Sequence, residues 1–121
     1  MDASSLTRES TMNGYQVTFF TQQDQQHEGI PLHEWIERTA QDLGVRGSTV
    51  IVAAAGRGHG GKLHSAHFFE LADQPVETVL AMTAAQTDQL FSRIQQAQVT
   101  VFYVKTVVEF GVLGSPDAKA P

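Results

Sequence analysis

The sequence predicts an α+β fold, an antiparallel sheet with two helices on one face, in the chain order β-α-β-β-α-β. Three observations predict it. Runs of β-branched and aromatic residues mark four strands, at residues 15–20, 48–55, 76–82 and 99–110. Apolar residues at helical spacing lie between the first and second of these runs and again between the third and fourth. The chain has 121 residues, enough for one domain around one core, which excludes large barrels and multi-domain enzyme architectures.

Each element follows from local chemistry. Tyr15, Val17 and Phe19 alternate with Gln16 and Thr18, a strand ended by the polar stretch 22–26. Pro31 suits the first turn of a helix, and Leu32, Trp35, Ile36, Ala40 and Leu43 share one face before Gly44 stops it, giving a helix over 31–43. Residues 48–55 are a Val, Ile and Ala run ended by glycines, expected to be a strand buried on both faces. Residues 63–71 are weakly strand-like, and after Pro75 residues 76–82 form the third main strand. Thr83 with Gln86 makes a capping box, and Thr87, Leu90, Phe91 and Ile94 form the stripe of a second helix ending near Ala97. The last strand runs over 99–110. This order is the ferredoxin-like arrangement. Residues 1–12 are expected to be a disordered leader, 13–112 the folded domain and 113–121 a flexible Pro/Gly/Ala tail.

Two helices on one face leave the other face of the sheet to solvent, so a monomer should alternate apolar with polar. The last strand does not. Its even positions Phe102, Val104, Val108 and Phe110 are expected to turn to the helices, yet Val99, Val101, Tyr103 and Val107 are apolar too. Phe20 likewise stands opposite Tyr15, Val17 and Phe19. A second apolar face calls for a partner, and a homo-oligomer closing sheet against sheet is expected. Scattered apolar residues tolerated on a helix-free face are the alternative.

Composition narrows the function classes. Without cysteine, disulfides, thiolate metal sites and cysteine nucleophiles are excluded. The net charge of −5 argues against nucleic acid as a partner. No apolar run approaches the roughly 20 residues of a membrane span, and residues 1–11 lack the apolar core of a signal peptide. The expected location is the cytoplasm, with no membrane insertion.

The chemistry concentrates between Leu43 and Phe69, where no Asp or Glu occurs while Arg46, Arg57, Lys62, His59, His64 and His67 do. At its centre lies Gly56-Arg57-Gly58-His59-Gly60-Gly61-Lys62, whose backbone N–H groups can turn to an anion while Arg and Lys supply charge. The candidate ligand-binding residues are therefore Arg46, Gly56, Arg57, Gly58, Gly60, Gly61, Lys62 and His64. A solvated hairpin tip explains the glycines but not the missing acids. Gly56, Gly58 and Gly61 satisfy G-x-G-x-x-G, yet no helix start follows and no acid stands about twenty residues on. The G-x-x-x-x-G-K match ends in Leu63 where a Ser or Thr would hold magnesium. Neither a dinucleotide fold nor an ATPase is implied. His59, His64 and His67, with His27 and His33, suffice in number for a zinc site but match no established ligand spacing. His64 and Ser65 are neighbours on a strand-like segment and point to opposite faces, so no triad forms there. Glu28, Glu34 and Glu37 read as solvated charges, and Trp35 as core.

Four segments, residues 14–20, 31–36, 44–50 and 61–66, resemble the bacterial PII-like family known as domain of unknown function 190, over residues 13–110. The resemblance implies a PII-like ferredoxin-like homotrimer related to the nitrogen-regulatory PII signalling proteins. It implies that residues 57–75 correspond to the effector-contacting T-loop. It also implies a ligand cleft between neighbouring subunits, which in PII holds adenine nucleotides and 2-oxoglutarate. The chain departs from PII in two places and from the look-alike family in one. Only Gln96-Ala97-Gln98 joins the second helix to the last strand, where PII carries a phosphate-binding loop, so the glycine-rich stretch would have to contact phosphate instead. No tyrosine lies in 57–75, and Leu80-Ala81-Met82-Thr83 lacks the acid often found in this family at the end of the third main strand. The expected function is a non-enzymatic regulator or sensor that binds a small anionic ligand, an adenine nucleotide, and signals to a regulated partner. A divalent-metal-binding trimer resembling the copper-tolerance relatives of PII, using His59, His64 and His67, is one alternative. A small phosphoester hydrolase is another.

Overall fold

The computed structural model describes residues 10–52 and 75–114. Strand β1 (Ser10–Gln22) is followed by a small hairpin of β2 (Gln26–His27) and β3 (Ile30–Pro31), then helix α1 (Leu32–Asp42) and strand β4 (Ser48–Val52). Strand β5 (Pro75–Thr83), helix α2 (Ala84–Gln96) and strand β6 (Phe102–Val112) complete the chain. The main sheet has the order β4-β5-β1-β6, and every neighbouring pair is antiparallel. This is the ferredoxin-like arrangement that the element order predicts.

Val17 of β1 pairs with Leu80 of β5, and these two with Phe19 and Met82 of the same strands are almost fully buried. Leu32, Ile36 and Ala40 of α1 and Leu90 and Ile94 of α2 close over them. Two central strands thus carry the core, with α1 and α2 covering one face.

Helix α2 begins as predicted. Thr83 Oγ1 accepts from the Gln86 backbone N–H at 3.1 Å, and Gln86 Oε1 accepts from Thr83 N–H at 3.0 Å. Each bond satisfies a backbone donor that the first turn leaves over. Both helices end in one device. In α1 the Val45 and Gly44 N–H groups donate to the Ala40 and Gln41 carbonyls; in α2 those of Val99 and Gln98 donate to Ile94 and Gln95. That pairing is a Schellman motif, which needs a left-handed residue after the cap, here Gly44 at φ 88° and Gln98 at φ 60°.

The structure corrects several expectations. Helix α1 starts at Leu32, with Pro31 as its N-cap in extended conformation rather than as a helical residue. Residues 10–12, assigned to a leader, belong to β1, where Ser10 pairs with Val112. Among the described residues strand β4 is a sheet edge rather than a strand buried on both faces, and Ile51 and Val52 each keep 46% of their surface exposed. An apolar run looks the same in a central strand and in an edge strand whose side chains lack a cover. Strand β6 starts at Phe102, and Val99 and Val101 pack on the core from the connection before it. Its phase is also opposite to expectation. Phe19 is paired with Tyr103 and Tyr15 with Val107, so the odd positions face the helix side, where Lys105 Nζ stands 4.4 Å above the Tyr15 ring. Phe102, Val104, Val108 and Phe110 share the opposite face with Phe20, whose ring lies 5.5 Å from that of Phe102. The hairpin β2–β3 turns through Glu28 and Gly29, both at positive φ, as a two-residue type I′ turn requires.

The helix-free face can be laid out row by row from the register. Ile51, Glu77, Phe20 and Phe102 form one row, and Thr49, Val79, Thr18 and Val104 the next. Ala81, Gln16 and Thr106 follow, and beyond them lie Val108, Met12 and Phe110. None of the described residues covers this face, and Phe102 and Val104 each remain 47% exposed. No described helix is long and apolar enough to cross a membrane.

Candidate functional site

At one end of the helix-free face, where β1 begins and β5 and β6 end, the sheet meets the exit of α1 in a cleft of about 370 Å³. Its floor is mostly apolar: Met12, Val79, Ala81, Phe110 and Val112, with Gln16 among them. The wall is the connection from α1 to β4, with Gly44, Arg46 and Gly47 lining it and Ser48 and Thr49 beyond. The wall lies where it does because Gly44 adopts φ 88°, which turns the chain off the helix, and because Val45 then anchors in the core at 6% exposure. Arg46 follows directly and is exposed.

Gln86 joins the wall to α2. Its Oε1 serves the capping box while its Nε2 donates to the Leu43 carbonyl at 3.5 Å, so one amide ties the start of α2 to the end of α1 beside the cleft. Arg46 is the charged side chain of the lining. A guanidinium has five fixed donors suited to carboxylate or phosphate oxygens. An apolar floor beside one cation fits a ligand with a flat apolar part and an anionic part.

Of the eight ligand-binding residues expected from the sequence, the structure places Arg46 in this cleft. Gly56, Arg57, Gly58, Gly60, Gly61, Lys62 and His64 lie outside the described residues, as do His59, His67 and nearly all of the 57–75 stretch. The upstream histidines do not converge. The His27 ring stands edge-on to Trp35 at 4.6 Å, and His33 Nδ1 lies 3.4 Å from Glu37 Oε2. Among the described residues no three metal-ligating side chains come together. Glu34 pairs with Arg38 one turn on, and Trp35 packs against the core. The sequence reading missed Met12, Gln16 and Phe110, which meet at the cleft only through strand pairing, and Gln86 of α2. For Gln86 a signal existed, since the capping box fixes where its side chain goes.

Comparisons with known proteins agree with the fold. A PII-like signalling protein from Thermus thermophilus superposes with a TM-score of 0.54 at 15% identity, over 84% of this chain and 91% of that one. CPII from Thiomonas intermedia, bound to ADP, AMP and acetate, superposes with a TM-score of 0.54 at 18% identity, over 88% and 94%. The same nitrogen regulatory PII-like protein bound to ADP, AMP and bicarbonate gives 0.55 at 15% identity, over 85% and 92%. No curated protein matches the chain. The family model for DUF190, described as Uncharacterized ACR, matches residues 14–109, taking in the two helices, the two central strands and the cleft wall. The chain therefore belongs to the DUF190 family and has the fold of the PII-like signalling proteins.

Proposed function

We propose that this chain is a non-enzymatic, cytoplasmic PII-like regulator that assembles as a trimer through its helix-free face and binds an adenine nucleotide in clefts bordered by two subunits. The carrying observation is the cleft itself, which sets an apolar floor beside Arg46 and opens onto the sheet face that none of the described residues covers. CPII, which shares the fold, binds ADP and AMP. On this reading Arg46 contacts phosphate or its equivalent, and the stretch 57–75 between β4 and β5 adds Arg57, Lys62 and backbone donors and carries the signal to a protein partner.

The occupant of the helix-free face is a second copy, on grounds of charge. Among the strand residues of that face, Glu77 alone is ionisable. A partner rich in charge would leave its own groups desolvated and unpaired against such a surface. The same face of another copy is an apolar, nearly uncharged match.

Titration calorimetry with ATP, ADP and AMP tests the ligand. Binding is expected, weakened about tenfold in Arg46→Gln by loss of one charge-assisted contact at an exposed position. Absence of binding to the unmodified protein at millimolar nucleotide would remove the nucleotide reading.

A further inference from the structure

We infer that Gln16 selects the base in the cleft, pairing with an amino-bearing purine such as adenine and rejecting the oxo-purines hypoxanthine and guanine. The inference rests on the nucleotide reading above and concerns what sets its specificity. Arg46 lies on the cleft wall and supplies charge for phosphate, which leaves the base to the apolar floor. Within that floor, among Met12, Val79, Ala81 and Phe110, Gln16 is the polar side chain. Its place is fixed by β1, a strand bonded to a neighbour on each side, where Gln16 pairs with Ala81 of β5 and Thr106 of β6. Gln16 is exposed, and among the described residues nothing engages its side-chain amide. Gln86, the other amide of the lining, is committed: its oxygen accepts from Thr83 N–H and its nitrogen donates to the Leu43 carbonyl.

A purine that settles on the floor takes water from both ends of the Gln16 amide, and an end left unpaired there weakens binding. The amide holds one acceptor and one donor group side by side. Adenine presents the matching pair, its exocyclic amino group as donor and the imidazole-ring nitrogen next to it as acceptor. Hypoxanthine and guanine carry a carbonyl oxygen in place of that amino group. The same edge then offers two acceptors, and the amide oxygen is left facing one of them. A hydroxyl, as on Ser48 or Thr49, rotates to donate or accept and does not separate the two cases. The apolar floor holds either base, and Gln16 penalises the wrong one.

Titration calorimetry of the full chain with ADP and with inosine diphosphate tests this, because the two ligands share ribose and phosphates. The unmodified chain is expected to bind ADP at least about tenfold more tightly than inosine diphosphate. Gln16→Leu should bring the two affinities close to equality. Gln16→Arg, whose guanidinium only donates, should reverse the order in favour of inosine diphosphate. Added positive charge alone does not reverse it, since both ligands carry the same phosphates. Gln16→Thr, which suits a strand, replaces the leucine variant if that one does not fold. An ADP preference that is absent from the unmodified chain, or that survives in Gln16→Leu, overturns the inference and leaves the nucleotide reading intact. No binding of either ligand at millimolar concentration overturns the nucleotide reading and the inference with it.

Discussion

Replacing Gly14 by Ala should be among the most damaging single changes in the domain. Gly14 is buried near the start of β1, between Thr83 of β5 and Val108 of β6. A methyl group on its Cα would stand 1.9 Å from the Met82 carbonyl oxygen and 2.8 Å from the Thr83 Cα. Both are backbone atoms, so no side chain can swing aside. Reaching an ordinary non-bonded separation of about 3.5 Å means parting the strands locally by roughly 1.5 Å. That opens the ladder at Gly14–Thr83 and Tyr15–Met82 and shifts the N-cap of α2. Two ladder hydrogen bonds at about 1 kcal/mol each, with about 1 kcal/mol for the cap, give a loss near 3 kcal/mol. For a domain of this size the midpoint of thermal unfolding should fall by about 12 to 24 °C. Guanidinium unfolding at one fixed protein concentration measures it directly. Gly29→Ala is the comparison, because nothing lies within 4 Å of an added Cβ there and only the φ of 82° opposes it, for a cost of about 1–2 kcal/mol. If Gly14→Ala costs no more than Gly29→Ala, the close approach of the β5 backbone does not constrain β1 as argued.

Three further outcomes are expected. Thr83→Ala removes the acceptor for Gln86 N–H and should destabilise the chain by about 1 kcal/mol, read as a lower denaturant midpoint with unchanged slope. Gln98→Gly should stabilise it by about 0.5–1 kcal/mol, because Gln98 holds φ 60° where glycine carries no Cβ strain; a loss of stability would mean that the Gln98 side chain contributes more than its backbone costs. Val104→Asp places a charge at an exposed position of the helix-free face, so the subunit should still fold by circular dichroism while light scattering reports monomers; an unchanged mass would place the subunit contact elsewhere.

Much of the fold is legible because its signals are local. The Thr83–Gln86 spacing announces its own hydrogen bonds, and the stripe Thr87, Leu90, Ile94 is the buried face of α2. Gly44 ends α1 for a reason visible in one residue, its freedom to adopt positive φ. The failures are non-local. Strand β6 is apolar at both odd and even positions, so alternation carries no phase, and only pairing of Phe19 with Tyr103 settles which face meets the helices. The apolar run of β4 does not report whether a neighbour exists on its outer side. At the cleft, Arg46 stands out because the acid-free stretch makes its charge conspicuous, whereas Gln16, Ala81 and Phe110 are ordinary residues in sequence, and strand order alone brings them to one place. Gly14, an isolated glycine inside a strand pattern, hinted at a close backbone approach that the sequence could not locate.

The matching ends of α1 and α2 give the chain an internal pseudo-symmetry. Each half is a central strand, a helix and the same left-handed exit, and each exit feeds an outer strand on an opposite margin of the sheet. Val45 and Val99 occupy equivalent places and both turn inward. The next residues differ: Arg46 and Gly47 in the first half, Thr100 and Val101 in the second. Val101 packs against the core, while at the corresponding position Gly47 lines the cleft and Arg46 beside it supplies charge. A near-duplicate architecture thus presents an arginine and a glycine beside the cleft at its first helix exit, where the second exit carries Thr100 and Val101.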